Sequence, residues 1–216
     1  ALDAHAKHNT TSVYTSGGMF PMLPEKLSTD LTSLGEGQDR LAIVVEMAIA
    51  EDGAILSSTL FRALVRNHAK LAYNNIAAWL AGEAPAPERV KAVSGLDAQL
   101  RLQDQVAQRL KARRHEQGAL SLETIEPRAV FEGEVLTNLK VDQKNRAKEL
   151  IEDFMIAANQ ATASYLKGKG IPSFRRILRS PERWQRIVEV AARWDEHLPS
   201  EPDARALEVF LVARRK

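Results

Sequence analysis

The chain has 216 residues, 44% hydrophobic and 27% charged, with a net charge of +2, a balance that is globular rather than disordered and a length that suits one domain of ordinary size or two small ones. With no cysteine it has neither a disulfide framework nor a thiolate metal site, which fits a reducing, cytoplasmic setting. No apolar run approaches the ~18 residues of a membrane span, and the N-terminus does not read as a signal peptide.

Residues 1–10 read as the end of a helix leading into Thr10-Thr-Ser-Val-Tyr14. Ser16-Gly17-Gly18, Pro21 and Pro24 then break regular structure, with a short turn of helix predicted after Pro24. Arg40 to Ala50 is rich in branched apolar residues and reads as a strand, Asp52-Gly53 as a hairpin turn, and Ala54 to Arg66 as the returning strand. His68 to Leu80 is predicted helical, with Leu71, Ile76, Trp79 and Leu80 buried, and Glu83 to Glu88 is a stiff, proline-bearing linker. Arg89 to Gln117 predicts one long amphipathic helix through Val90, Val93, Leu96, Leu100, Leu102, Val106 and Leu110. Two or three short strands are expected between Ala119 and Val141, turning at Pro127 and Gly133.

The helix predicted from about Ala147 to Leu166 organises the rest. Its apolar stripe runs through Ala147, Leu150, Ile151, Phe154, Ala158, Ala161 and Tyr165, with Asp142 or Asn145 as the cap and Gly168 as a left-handed stop. A second face carries Glu149, Glu152 and Asp153, and the like-charge pair Glu149/Asp153 costs roughly 0.2–0.5 kcal/mol, which Lys148 offsets in part. That face is either solvated or aimed into a polar groove. A short strand over Ile171 to Ile177 and two closing helices complete an α+β class: an antiparallel strand meander covered by several helices, read as a single domain over 1–216. The opening without methionine and a closing helical pattern without a stop lead us to expect a piece of a longer polypeptide.

Several kinds of site are excluded or demoted. There is no phosphate-binding Gly-x-x-x-x-Gly-Lys, no Gly-x-Ser-x-Gly elbow and no Gly-x-Gly-x-x-Gly. His5 and His8 have ligand-like spacing without a third ligand nearby, and the ten aspartates are too scattered to hold two hard ions. What stays open is a set of basic clusters near aromatic rings: Arg109, Lys111, Arg113 and Arg114; Arg175, Arg176, Arg179, Arg183 and Arg186; Arg214, Arg215 and Lys216; with Tyr14 and Phe20, Tyr73 and Trp79, Phe174 and Trp184. Such a set suits single-stranded nucleic acid, where bases stack on rings and phosphates meet cations. The alternative is that the rings are core and the arginines solvated.

Ordered blocks choose between the two. At Thr11-Ser-Val-Tyr14, Pro21-Met-Leu-Pro-Glu-Lys-Leu-Ser28, Leu31-Thr-Ser-Leu34, Asp39-Arg-Leu41, Val45-Glu-Met47, Ala69-Lys-Leu-Ala-Tyr73, Glu152-Asp-Phe-Met-Ile-Ala-Ala-Asn159 and Pro172-Ser-Phe-Arg-Arg-Ile177 the sequence resembles the ribonuclease II (RNB) family, in that family's order and over nearly the whole chain. The resemblance implies a 3′→5′ exoribonuclease that degrades single-stranded RNA processively to nucleoside 5′-monophosphates. It implies Mg²⁺ held by clustered aspartates; the lack of an apolar run long enough for a span leads us to expect no membrane partner. Carried over, Tyr14 falls on the family tyrosine near the scissile end of the RNA, Tyr73 on an aromatic flanking the first bases to enter the channel, and Glu152 on a carboxylate contacting RNA near its 3′ end. An aromatic clamp holds bases without reading them, and a carboxylate accepts hydrogen bonds from ribose hydroxyls that DNA lacks.

The family's metal-binding aspartates would lie just before Ala1 and a catalytic arginine region beyond Lys216. The chain is therefore expected to be the central part of a catalytic domain, with no catalytic or metal-binding residue identifiable within it and no activity alone. Leu122 stands where some family members place an aromatic ring. The rival reading is a catalytically inactive RNB-like RNA-binding module. A purely structural scaffold explains the periodicities but not the ordered blocks. Oligomeric state is left open.

Overall fold

In the computed structural model, which describes residues 1–15, 18–120, 127–133, 135–141, 144–174 and 183–214, helices alternate with antiparallel hairpins. The elements are α1 (Leu2–Asn9), β1 (Val13–Thr15), β2 (Gly18–Phe20), a wide helical turn at Lys26–Asp30, β3 (Asp39–Ile49), β4 (Ile55–Arg66), α2 (Tyr73–Leu80), α3 (Glu88–Lys91), α4 (Leu96–Glu116), β5 (Pro127–Glu132), β6 (Val135–Val141), α5 (Arg146–Gly168), α6 (Trp184–Ala192) and α7 (Ala204–Arg214). The α+β class holds, its strands forming the antiparallel pairs β1–β2, β3–β4 and β5–β6. Two compact units divide the chain: residues 1–44, 61–99 and 124–148, and residues 45–60, 100–123 and 149–216. Among the described residues no helix is long and apolar enough to cross a membrane.

In the first unit β1 and β2 pair with Tyr14 opposite Met19. The proline-bearing loop after them is tied down locally. The Met22 amide donates to Ser12 Oγ at 2.9 Å, Asn9 Nδ2 to the Met22 carbonyl at 3.1 Å, and Ser28 Oγ to the Leu23 carbonyl at 2.9 Å. The turn expected after Pro24 forms, with the Leu27 and Ser28 amides donating to the Pro24 carbonyl.

Two helices differ from expectation for identifiable reasons. The first, α2, begins at Tyr73 rather than His68, because the preceding arm is held by non-helical bonds. There the Ala69 amide donates to Asn67 Oδ1 at 3.0 Å, the Lys70 amide to Glu36 Oε2 at 2.7 Å, and Asn67 Nδ2 to the Leu34 carbonyl at 3.0 Å. The long helix expected over Arg89 to Gln117 is two helices, α3 and α4, separated at Gly95, whose φ of 74° is left-handed. Periodicity ran across this glycine because Val93 and Leu96 stay in phase on either side of it. Leu102, counted in the stripe, is exposed; Leu100, Ala107 and Leu110 are the buried line of α4. The β5–β6 hairpin turns at Gly133 as expected, while residues 121–126, where a further strand was possible, lie outside the described residues, as does Leu122.

In the second unit Trp184, Ala191, Leu207 and Phe210 form a core cluster, with Leu120, Ile187, Val188, Leu198 and Leu211 packed against it. Asp203 caps α7, its Oδ1 accepting the Arg205 and Ala206 amides at 2.8 and 3.0 Å. The organising helix α5 is capped by Asn145, whose Oδ1 accepts the Lys148 amide at 3.0 Å; Asp142 lies outside the described residues. It extends through Gly168, and Gly170, with φ 67°, takes the left-handed turn instead. Leu150, Asp153, Ala157 and Ala161 are its buried line, whereas Ile151 and Tyr165 are about two-fifths exposed. The expected strand over Ile171 to Ile177 is absent from residues 171–174, and 175–177 lie outside the described residues.

Candidate functional site

Of the expected contact residues, Tyr14 projects from a three-residue strand whose side chains are all exposed, and is itself 75% exposed. Tyr73 is the first residue of α2; Ile76, Ala77 and Trp79 turn inward from that helix and Tyr73 is left 49% exposed. In the same unit, Glu36 receives the Lys70 amide and ion-pairs with Arg89, while Asn145 Nδ2 donates to Asn74 Oδ1 at 3.0 Å. The Lys70 amide is the main influence holding the Glu36 carboxyl below its usual range. Tyr14 and Tyr73 belong to the first unit and Glu152, exposed on α5, to the second. Of the other rings, Trp79 and Trp184 are buried, whereas Phe20 and Phe174 are exposed.

The acidic face of α5 is resolved into unlike members. Glu149 accepts a bond from Lys111 Nζ at 3.0 Å, and Asp153 one from Arg114 Nη2 at 2.8 Å. Asp153 is only 4% exposed and lines a polar cavity of about 230 Å³ with Arg113, Arg114, Gln117 and Gln160. Like charges four apart are tolerated here because each has its own cation from α4. Three members of the basic cluster on α4 are thus engaged internally, since Arg113 also pairs with Asp52 at 2.6 Å. Sequence reasoning missed this ladder. The signal was present as Lys111/Arg114 three apart and Glu149/Asp153 four apart, each pair on one helical face. Of the other basic clusters, Arg175, Arg176, Arg179, Arg215 and Lys216 lie outside the described residues, and Arg214 pairs with Glu196 and lies 5.5 Å over the Trp194 ring.

Burial is the largest influence on Asp153 and raises its carboxyl above the usual range; the Arg114 hydrogen bond and charge draw it part of the way back. A carboxyl raised in the folded state adds stability at low pH that is lost as pH rises through the ordinary carboxylate range and up to the raised value. Thermal melts of wild type and Asp153→Asn between about pH 3 and pH 7 are expected to show the wild-type advantage shrinking with rising pH. An advantage that grows would mean that the Arg114 attraction outweighs desolvation.

Among the described residues no three His, Asp or Glu side chains form a group able to hold a metal ion. His5 Nε2 lies 3.0 Å from Asn9 Nδ2.

The model of the RNB domain family matches residues 1–211. Ribonuclease R of Vibrio parahaemolyticus is 36% identical over 182 residues, 84% of this chain and 21% of that protein. Exoribonuclease 2 of Cronobacter sakazakii is 37% identical over 171 residues, 78% of this chain and 26% of that protein. The chain thus spans about a fifth to a quarter of the length of these curated relatives. Among solved structures, the apo form of Mycoplasma genitalium RNase R matches all of this chain with a TM-score of 0.84 at 23% identity, the match covering 34% of that structure. Yeast Ssd1, a pseudonuclease, matches 78% of the chain and 20% of its own at a TM-score of 0.55 and 16% identity. These structural likenesses show the fold.

Proposed function

Because the chain belongs to the RNB domain family, we propose that it works within an exoribonuclease that degrades single-stranded RNA from the 3′ end, processively and to nucleoside 5′-monophosphates, in the cytoplasm. The observation that carries this reading is the family match over residues 1–211, and relatives named Ribonuclease R and Exoribonuclease 2 support it. The exposure of Tyr14 and Tyr73 suits rings that stack on bases, because a ring already packed in a core has no face to offer. Glu152 is suited to accept a hydrogen bond from a ribose 2′-hydroxyl: a carboxylate repels phosphate and is useful only toward a neutral donor.

The described residues do not fit the Mg²⁺ that the family implies, since they offer no ligand group. In this reading its ligands lie outside them. What these residues contribute in this reading is grip and sugar discrimination.

The test uses the full-length parent protein and RNA and DNA oligomers of one sequence at one salt concentration. Tyr14→Ala and Tyr73→Ala are expected to weaken RNA binding by about 1–3 kcal/mol each, the range for base–aromatic stacking. Glu152→Ala is expected to weaken RNA binding by roughly 1.5–3 kcal/mol and leave DNA binding nearly unchanged, with Glu152→Gln losing less. Equal losses on RNA and DNA for Glu152→Ala would assign sugar reading elsewhere. RNA binding without hydrolysis in the presence of Mg²⁺ would favour the inactive RNA-binding module.

A further inference from the structure

The two ion pairs between α4 and α5 have a consequence for the residue between them. Lys111 and Arg114 are one turn apart on α4, Glu149 and Asp153 one turn apart on α5, and the pairs make a two-rung ladder. The Arg114–Asp153 rung is the firmer one, with Asp153 Oδ1 2.8 Å from Arg114 Nη2 and its side chain 5% exposed. The Lys111–Glu149 rung is about one-third exposed. Both carboxylates of the ladder are engaged by cations of α4, whereas Glu152 faces solvent. At 3.6 residues per turn, Glu152 sits about 100° round the helix axis from Asp153 and about 60° from Glu149.

We propose that Arg114 and Asp153, supported by Lys111 and Glu149, are positioning residues that fix the rotation of α5 and so aim Glu152 at the ribose of the bound RNA. The proposal rests on Glu152 being the sugar-reading carboxylate. Two rungs constrain rotation where one does not, because a single pair acts as a pivot. The leverage is large for a small motion. Side chains reach roughly 5–6 Å from a helix axis, so a rotation of about 10° moves a carboxylate by about 1 Å. A misplacement of about that size can reduce the rate by as much as ~10²-fold. Asp153 is also the residue of the stripe that a purely apolar core would not place there: Leu150, Ala157 and Ala161 continue the buried line on either side of it. An apolar residue at position 153 would pack in that line but would leave rotation to the softer fit of side-chain surfaces.

A double-mutant design in the full-length parent protein separates aiming from stability. Arg114→Met with Asp153→Leu replaces the pair, its carboxylate buried and its guanidinium about one-quarter exposed, by apolar side chains of similar combined volume, a change that is often neutral or stabilising. The expected result is an unchanged or raised melting temperature together with a roughly ten- to hundredfold loss of RNA-over-DNA preference, with the loss measured on Glu152→Ala as its ceiling. Introduced into Glu152→Ala, the same pair of substitutions is expected to cause no further loss of preference, since residues acting through one group are not additive. Arg114→Lys, which keeps the charge and loses the planar fork, should lose less; it also serves if the double variant melts below the assay temperature. Lys111→Met should move preference in the same direction by a smaller factor.

An unchanged preference in Arg114→Met/Asp153→Leu would overturn the proposal and leave the ladder a stability device. So would equal losses with and without Glu152, which would mean that the ladder acts by another route. If Glu152→Ala alone leaves the preference intact, the assignment of Glu152 fails, and the positioning role falls with it.

Discussion

Replacing Trp184 with alanine is expected to destabilise the second unit by about 3–5 kcal/mol, the range for emptying a large aromatic from a packed core. Trp184 is 5% exposed and sits at the start of α6 against Ala191, Leu207 and Phe210, so its removal leaves a hole bordered by two helices. It would also remove a hydrogen bond. The indole Nε1 donates to the Pro199 carbonyl at 2.9 Å, and that bond ties the connection between α6 and α7 to the core. Trp184→Phe keeps much of the ring and loses the bond, for which about 1 kcal/mol is expected on top of a smaller cavity term. Denaturant unfolding followed by far-ultraviolet circular dichroism measures both. A loss below about 1 kcal/mol for the alanine variant would mean that this cluster is peripheral to the cooperative core of its unit.

Gly53→Ala should have an effect of similar size through a different mechanism. Gly53 is buried at the β3–β4 turn with φ 80°, and a Cβ built there meets the Arg109 carbonyl oxygen at 2.4 Å and its carbon at 2.7 Å. The left-handed conformation alone costs an L-residue about 1–2 kcal/mol. The contact adds the cost of overpacking, about 1–3 kcal/mol, and no rotamer change relieves it because the obstructing atoms are backbone. A total loss of about 2–5 kcal/mol is therefore expected. Gly133→Ala is the internal control: its φ is 64° and nothing lies within 4 Å of the added carbon, so only the conformational part should appear. If the two variants lose the same stability, the close approach of the turn to α4 does not hold in solution.

The two substitutions bear on how much was readable in advance. The Asp52-Gly53 turn was legible because hairpin chemistry is local: Asp52 Oδ1 accepts the Ala54 amide at 2.9 Å and glycine takes the left-handed angle. Trp184 stands beside a basic cluster, which in the sequence leaves open whether its ring meets nucleic acid or the core, and the structure places it in the core. An aromatic next to arginines has the same sequence signature whether it faces solvent or a core. The stripe of α5 was legible in period but not in phase, since Asp153 is buried inside it and Ile151 outside it. Hydropathy alone gives no reason to place an aspartate in an apolar line.

By itself the sequence determined the α+β class, the principal helices and turns, and the family, because each of these is written in contiguous spacing: the 3.6-residue period, a turn dipeptide, a block such as Glu152 to Asn159. It also supplied Tyr14, Tyr73 and Glu152 as candidates through the blocks that contain them. Only the tertiary structure decided which carboxylates of α5 are engaged and which is presented. The partners of Glu149 and Asp153 stand 38 and 39 residues away along the chain. No local pattern carries that information. A carboxylate's character is set by the charge and the water that surround it, and both are decided by which helix packs against its own.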